Sequence, residues 1–245
     1  MTKIKQAIIT GGAIRVGKSI ASQLASDGYD VIIIYNSSSK QAEETKADIE
    51  QNSSQLCHIY QCNLQHKQNI DEFFSKISNE HQNISLLVNN ASIFEKADFE
   101  ETDEDIFDRH MAINFKAPFF LTQKFSEYVK ANKIENANVI NILDSYITSN
   151  SGAYFAYLLS KKALYEFTNM SAKQLGPSIR VNSISIGYLL ASEYWDEEQI
   201  EERAKELPLK TKSHLQDVND AVKYLNNSKY LTGNNIFVDS GHHLK

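Results

Sequence analysis

Apolar positions in this chain gather into seven short runs rich in β-branched residues: Ile8-Ile9, Val31 to Ile34, Leu56 to Tyr60, Leu86 to Val88, Val139 to Leu143, Val181 to Ile184 and Ile236 to Val238. Such near-continuous runs lack the alternation of a strand with one wet face, and they predict parallel strands covered on both sides. Longer amphipathic stretches separate them, predicting helices near Gly17 to Ser26, Gln41 to Gln51, Lys67 to Ile77, Asp103 to Lys130, Tyr154 to Gln174 and Leu215 to Leu225. The alternation predicts an α/β fold, a doubly wound parallel sheet of about seven strands with helices on both faces. No Pro/Gly/Ser linker or repeat interrupts it, so residues 1–245 read as one domain, with a cofactor half near 1–140 and a catalytic half near 141–245. Leu189 to Leu207 alone breaks the rhythm with a charged helical insertion, which fits either a solvated helix face or a lid over a substrate.

Composition narrows the function classes. The 25 basic and 31 acidic residues give a net charge of −6 without a Lys/Arg cluster, which argues against nucleic acid as a partner. The start Met1-Thr2-Lys3-Ile4-Lys5 leads into an apolar run too short for a signal-peptide core, and no run approaches a membrane span. A cytoplasmic protein with no membrane partner is expected. Cys57 and Cys62 fall in one predicted strand at an offset of five, on opposite faces, and are expected to stay reduced. No metal site is expected.

The first predicted strand runs into Thr10-Gly11-Gly12-Ala13-Ile14-Arg15-Val16-Gly17, which opens a helix. Glycines at such a turn let the backbone approach a pyrophosphate, whose charge then sits at the positive helix end, so the fold reads as Rossmann-like and dinucleotide-binding. At the end of the second strand stands Tyr35-Asn36-Ser37-Ser38-Ser39-Lys40, with no acid before Glu43. An NAD site would place Asp or Glu there for the ribose 2′-hydroxyl, whereas three hydroxyls and a lysine suit a 2′-phosphate. NADP(H) is the expected cofactor, although a plain polar turn fits the same serines. Asn63, followed by Leu64, either offers its carbonyl to the adenine or serves a turn. Asn89-Asn90-Ala91 ends the fourth strand, where a small residue admits the cofactor ribose.

Tyr157 and Lys161 stand four apart on a predicted helix and share a face. A nearby ammonium favours tyrosinate and would lower the phenol's pKa, which suits a general acid in a reduction.

Together, the Gly-rich turn, Asn-Asn-Ala and Tyr-x-x-x-Lys resemble the short-chain dehydrogenase/reductase family over essentially the whole chain. The resemblance implies that Tyr157 donates the proton and that Lys161 binds the nicotinamide ribose. It also implies that Asn114 holds a water in the proton relay and that Asn89 lines the ribose. In the same way it puts Ala13, Ile14, Gly17 and Gly187 beside the cofactor. The tail Tyr230 to Gly241 resembles the closing strand of the family, which implies a homotetramer or a dimer.

Three departures from the general pattern of the family coincide. Asp144 stands thirteen residues before Tyr157 in place of serine, Arg15 replaces the second glycine of the turn, and Ser92-Ile93-Phe94 follows Asn-Asn-Ala. The combination is similar to pteridine reductases and dihydromonapterin reductases. The chemistry agrees, because a carboxylate repels a developing oxyanion, whereas it accepts from the N-H edge of a pterin whose C=N bond is reduced. Phe94 would stack on the ring, with Ser92, Arg15, Asp144, Tyr157 and Leu189 completing the substrate site. Ile186-Gly187-Tyr188-Leu189 replaces the usual Pro-Gly after the sixth strand, which leaves the path of that loop open. The expected activity is NADPH-dependent reduction of a dihydropteridine such as dihydromonapterin, dihydrobiopterin or dihydrofolate. A carbonyl reductase acting on 3-oxoacyl thioesters or small ketones is the alternative, and a cofactor-binding protein without turnover has no use for the relay.

Overall fold

The computed structural model describes residues 4–150 and 152–245, so the Met1-Thr2-Lys3 start lies outside the described residues. Seven strands, β1 (Gln6–Thr10), β2 (Asp30–Tyr35), β3 (Cys57–Gln61), β4 (Ile84–Asn89), β5 (Ala137–Asp144), β6 (Ile179–Ile186) and β7 (Asn235–Val238), form one parallel sheet. Their order is β3-β2-β1-β4-β5-β6-β7, which reverses direction between β1 and β4. Crevices at such a reversal, beyond the carboxyl ends of the strands, are where doubly wound sheets bind ligands.

Successive side chains of a strand leave on opposite faces, and both faces here are buried. Ile9, Ile33 and Val88 pack with α1 (Arg15–Ser26), α2 (Ser39–Asn52) and α8 (Leu215–Asn227), which follows the seventh helix described below. Their neighbours Ile8, Ile32 and Leu87 pack on the other face with α3 (Lys67–Glu80) and α5 (Ala117–Asn132). That two-sided burial is why the runs are continuously apolar. Cys57 joins the first cluster and Cys62 the second, and both thiols are free. Cys62 lies one residue past β3 rather than inside it.

The stretch expected as one helix from Asp103 to Lys130 is divided. It consists of α4 (Glu104–His110), a π-helical segment over Met111–Lys116, and then α5. Pro118 in the first turn of α5 has no N–H for the Asn114 carbonyl four residues earlier, and the Ala117 N–H reaches back to the Ala112 carbonyl. Helix α6 (Phe155–Leu175), which carries Tyr157 and Lys161, runs beside β5 and β6. The inserted segment contains α7 (Glu197–Ala204), whose Asp196 and Gln199 form a reciprocal capping box. No helix among the described residues is long and apolar enough to cross a membrane.

Candidate active site

A cleft of about 770 Å³ opens at the carboxyl ends of the strands, across the reversal of strand order. Its phosphate end is the β1–α1 turn. Gly11 adopts φ +63°, and a Cβ on Gly17 would sit 2.1 Å from the Gly11 carbonyl oxygen, so the turn closes only without side chains. The N-cap residue of α1, Ile14, offers no side-chain bond, and no acid occupies the first turn, so the amino-terminal N–H groups face the cleft without a built-in anion. Arg15 occupies the left-handed region at φ +54°, which costs a non-glycine residue about 1 kcal/mol. Its guanidinium lines the cleft, so a glycine position has been given over to a charged side chain.

Gly11, Ile14, Arg15, Gly17, Tyr35, Asn36, Asn63, Leu64, Asn90, Ala91, Lys161 and Gly187 all line the cleft. Ala13 does not; it is buried under α2, where its carbonyl accepts from the Thr45 hydroxyl at 2.9 Å. Ser37 and Ser38 stand outside the lining, with Ser38 at the start of α2. Lys40 pairs loosely with Glu44 at 3.8 Å. Asn63 lines the wall, but its Oδ1 accepts from the Gln65 N–H at 3.0 Å, the turn role rather than a free adenine acceptor.

The Asn-Asn pair divides its work. Asn89 points into the sheet interior, not at the ribose: it donates to Asn141 Oδ1 at 2.8 Å, and Asn141 in turn donates to Thr168. An odd-even switch at the strand end explains this, since adjacent side chains leave on opposite sides. Asn90 faces the turn and donates to the carbonyls of Thr10, at 2.9 Å, and Gly11, at 3.3 Å. The Thr10 hydroxyl accepts from the Asn90 and Ala91 N–H groups, both at 2.9 Å, which locks β4 to the Gly-rich turn.

At the catalytic end, Asp144 terminates β5 and points between two neighbours. Its Oδ1 accepts from the Tyr146 N–H at 2.8 Å, and its Oδ2 accepts from the Tyr157 hydroxyl at 2.7 Å. Lys161, one turn along α6, donates to the Ile142 carbonyl at 3.0 Å. Its ammonium lies 5.8 Å from the centroid of the Tyr157 ring. Burial pushes the Asp144 carboxyl up, against the opposing pull of the Tyr146 N–H, the Tyr157 hydroxyl and the Lys161 ammonium. Burial lowers Lys161 to about 8, and the Asp144 charge works the other way.

Tyr157 departs from the sequence expectation in sign. Burial, then the charge of Asp144 and the hydrogen bond to it, hold the phenol well above its ordinary value instead of lowering it. Burial and a carboxylate in direct contact with the hydroxyl set this direction together. The phenol therefore keeps its proton at neutral pH.

Asn114 is buried in the π segment, and its side chain uses all four hydrogen-bonding positions. Oδ1 accepts from the Ile93 N–H and the Ser92 hydroxyl, at 2.9 and 3.1 Å. Nδ2 donates to the Ile93 carbonyl and the Ser160 hydroxyl, at 3.0 and 3.1 Å. The amide thus holds the Ser92-Ile93 loop against α6, and a relay water would have to use the main chain, where Pro118 withholds the usual donor.

Ser92, Phe94 and Leu189 line the substrate end. Phe94 is already stacked on Tyr154, with centroids 4.5 Å apart at 17°, so only one face of it remains for a flat ligand. Its ring meets Tyr157 edge-on at 4.8 Å. The inserted segment covers this end: Trp195, Ile200 and Arg203 all face the cleft, which matches the lid alternative. Sequence reading missed Tyr194, Trp195, Arg203 and His242. His242 comes from the tail beyond β7, shares a hydrogen bond with Ser145 Oγ at 3.0 Å and stacks on Tyr188 at 4.8 Å. Nothing local marks these residues; for Tyr194, Trp195 and Arg203 the clue was only the length of the insertion, and His242 in the tail carries none.

Comparison with known proteins gives consistent relatives. A family model described as enoyl-(acyl carrier protein) reductase matches residues 12–243. A dihydromonapterin reductase of Citrobacter koseri is 26% identical, covering 97% of this chain and 96% of its own. A 3-oxoacyl-[acyl-carrier-protein] reductase of Staphylococcus epidermidis is 25% identical, covering 97% and 98%. Among solved structures, the FolM alternative dihydrofolate reductase 1 of Brucella canis complexed with NADP superposes with a TM-score of 0.92 at 32% identity, covering 98% of this chain and 94% of that one.

Proposed function

The chain belongs to the short-chain dehydrogenase/reductase family, and from that premise we propose an NADPH-dependent reductase of a C=N bond in a dihydropteridine, giving the tetrahydro form. The observation that carries the substrate class is the contact between Asp144 and the Tyr157 hydroxyl at 2.7 Å. A carbonyl substrate needs a neutral donor where Asp144 stands, and a buried carboxylate there opposes the oxyanion that forms. A dihydropteridine presents N–H donors to that carboxylate and requires a proton on nitrogen. The dihydromonapterin reductase and alternative dihydrofolate reductase among the relatives support the same class.

The residues present fit the cofactor. The side-chain-free approach of Gly17 to Gly11, with the uncapped start of α1, suits the pyrophosphate, and Asn36, which lines the cleft at the end of β2 where no acid stands, suits the 2′-phosphate. Bound NADPH supplies the hydride. Lys161 holds the ribose and keeps a positive charge beside the phenol. Tyr157 delivers the proton to the ring nitrogen. Asp144 orients the phenol and, with its own pKa raised, helps refill that proton. Phe94, backed by Tyr154, forms one wall against the ring. We place the enzyme in the cytoplasm as a homotetramer or dimer; exposed Phe119, Leu159 and Met170 on α5 and α6 support assembly.

The test is NADPH oxidation with dihydromonapterin, dihydrobiopterin and dihydrofolate, run beside 3-oxoacyl thioesters and simple ketones, and repeated with NADH. Turnover of the pteridines with preference for NADPH is expected. Turnover of only the carbonyl compounds overturns the proposal.

A further inference from the structure

The charges lining the cleft do not resemble those of the chain. The protein carries a net charge of −6, yet the cleft is lined by Arg15, Lys96, Lys161 and Arg203 against a single carboxylate, Asp144. Arg15 sits at the phosphate turn and Lys161 beside Tyr157, which accounts for two of the cations. Lys96 and Arg203 stand at the substrate end, and the proposed reaction uses neither.

Arg203 is held in an unusual way for a residue on an acidic helix. Its guanidinium carbon lies 3.5 Å from the centroid of the Trp195 ring, so the flat group rests on the indole. The glutamates of α7 do not claim it: Lys212 pairs with Glu197 and Glu201, and Lys205 with Glu202. Among the described residues, neither Arg203 nor Lys96 has a carboxylate partner. Stacking fixes the plane of a guanidinium while leaving its N–H edge free, an arrangement suited to a bidentate carboxylate. Arg203 lines the same cleft as Tyr146 and Tyr157.

Aromatic rings line the cleft together with these cations. Phe94 stacks on Tyr154, and the Tyr194 ring meets Phe94 at 5.6 Å and 78°. The Tyr194 hydroxyl accepts from the backbone N–H of Lys96 at 3.2 Å, which ties the inserted segment to the strand-end loop that carries Lys96. A substrate tail in this part of the cleft would thus meet both aromatic surface and positive charge. A short neutral hydroxyalkyl chain matches neither.

We infer that Arg203 and Lys96, with the Trp195 ring, form a subsite for an aryl-linked carboxylate tail, so that the preferred dihydropteridine is of the folate type. The inference rests on the pteridine reading above. It is tested by the ratio of kcat/KM for dihydrofolate to that for a dihydropterin with a neutral hydroxyalkyl chain. Loss of a charge-assisted contact changes affinity roughly ten- to hundred-fold, so R203Q is expected to lower this ratio at least ten-fold, and R203K to recover part of it. In the wild type, added salt should raise KM for dihydrofolate more than for the neutral pterin, since screening weakens only the charged tail. An unchanged ratio in R203Q together with equal salt responses overturns the subsite while leaving the pteridine reading intact. A rise in KM for NADPH in place of the ratio change assigns Arg203 to the cofactor and also overturns it. No turnover of either pteridine by the wild type overturns both readings together.

Discussion

Tyr157 and Lys161, within one turn of α6, and Asp144, at a strand end, are coupled with definite signs, and the proposed chemistry rests on them. Tyr157→Phe removes the donor and leaves the cleft in place, so kcat is expected to fall by roughly 10²- to 10⁴-fold while NADPH binding, followed by fluorescence titration, persists. The pH profile is expected to show a basic limb set by Lys161, whose pKa burial brings down to about 8. Below that value the ammonium is charged and supports proton transfer; as pH rises through it, kcat/KM should fall. Asp144 holds that pKa up, and it also raises Tyr157. Asp144→Asn should therefore move the basic limb to lower pH as well as reduce the rate. A limb that stays put, or moves up, would show that Asp144 is not coupled to the pair.

At the scale of elements, the strand–turn–helix of β1 and α1 combines strain with close contact. Gly17→Ala pushes a Cβ to 2.1 Å from the Gly11 carbonyl, a contact with backbone that cannot swing away. Loss of NADPH affinity and a lower Tm are expected together. Arg15→Gly works in the opposite direction on stability. It relieves a left-handed non-glycine residue, worth about 1 kcal/mol less the entropy that glycine adds to the unfolded chain. Its Tm should stay level or rise while KM for the pteridine or for NADPH rises, a separation visible by thermal melts beside steady-state kinetics. The π segment was not legible from periodicity, which reports the apolar stripe and not the hydrogen-bond step. Pro118 was the available signal, because a proline near the middle of a long apolar pattern removes a donor.

On the scale of the whole molecule, the sheet is closed at its far end from the cleft by His81. Gln6 from β1, Tyr60 from β3 and Tyr128 from α5 all bond to this residue, at 3.0, 2.9 and 2.9 Å. Burial lowers its pKa from 6.5 to about 4, with the nearby His58 adding to the effect. The folded state thus favours the neutral ring. Below pH 6.5 the unfolded chain takes up a proton that the folded chain refuses, so stability present above 6.5 is lost as pH falls towards 4. The Tm of the wild type should drop across that window, and His81→Gln should flatten the drop while lowering Tm at pH 7.

The sequence by itself determined the sheet, its doubly wound layers and the presence of Tyr157, Lys161, Asp144 and the Gly11 turn. Those properties are written in periodicity and in spacing along one element, which need no partner to be read. Tertiary structure decided the rest. It turned Asn89 into the core and Asn90 onto the turn, since facing depends on where a strand ends. It used up the Asn114 amide, because the loop that claims it lies 21 residues away. It reversed the shift of Tyr157, since electrostatics depends on contact distance and burial, not on separation in sequence. It also brought Arg203 and His242 to the cleft from segments far along the chain, a closeness that only packing creates.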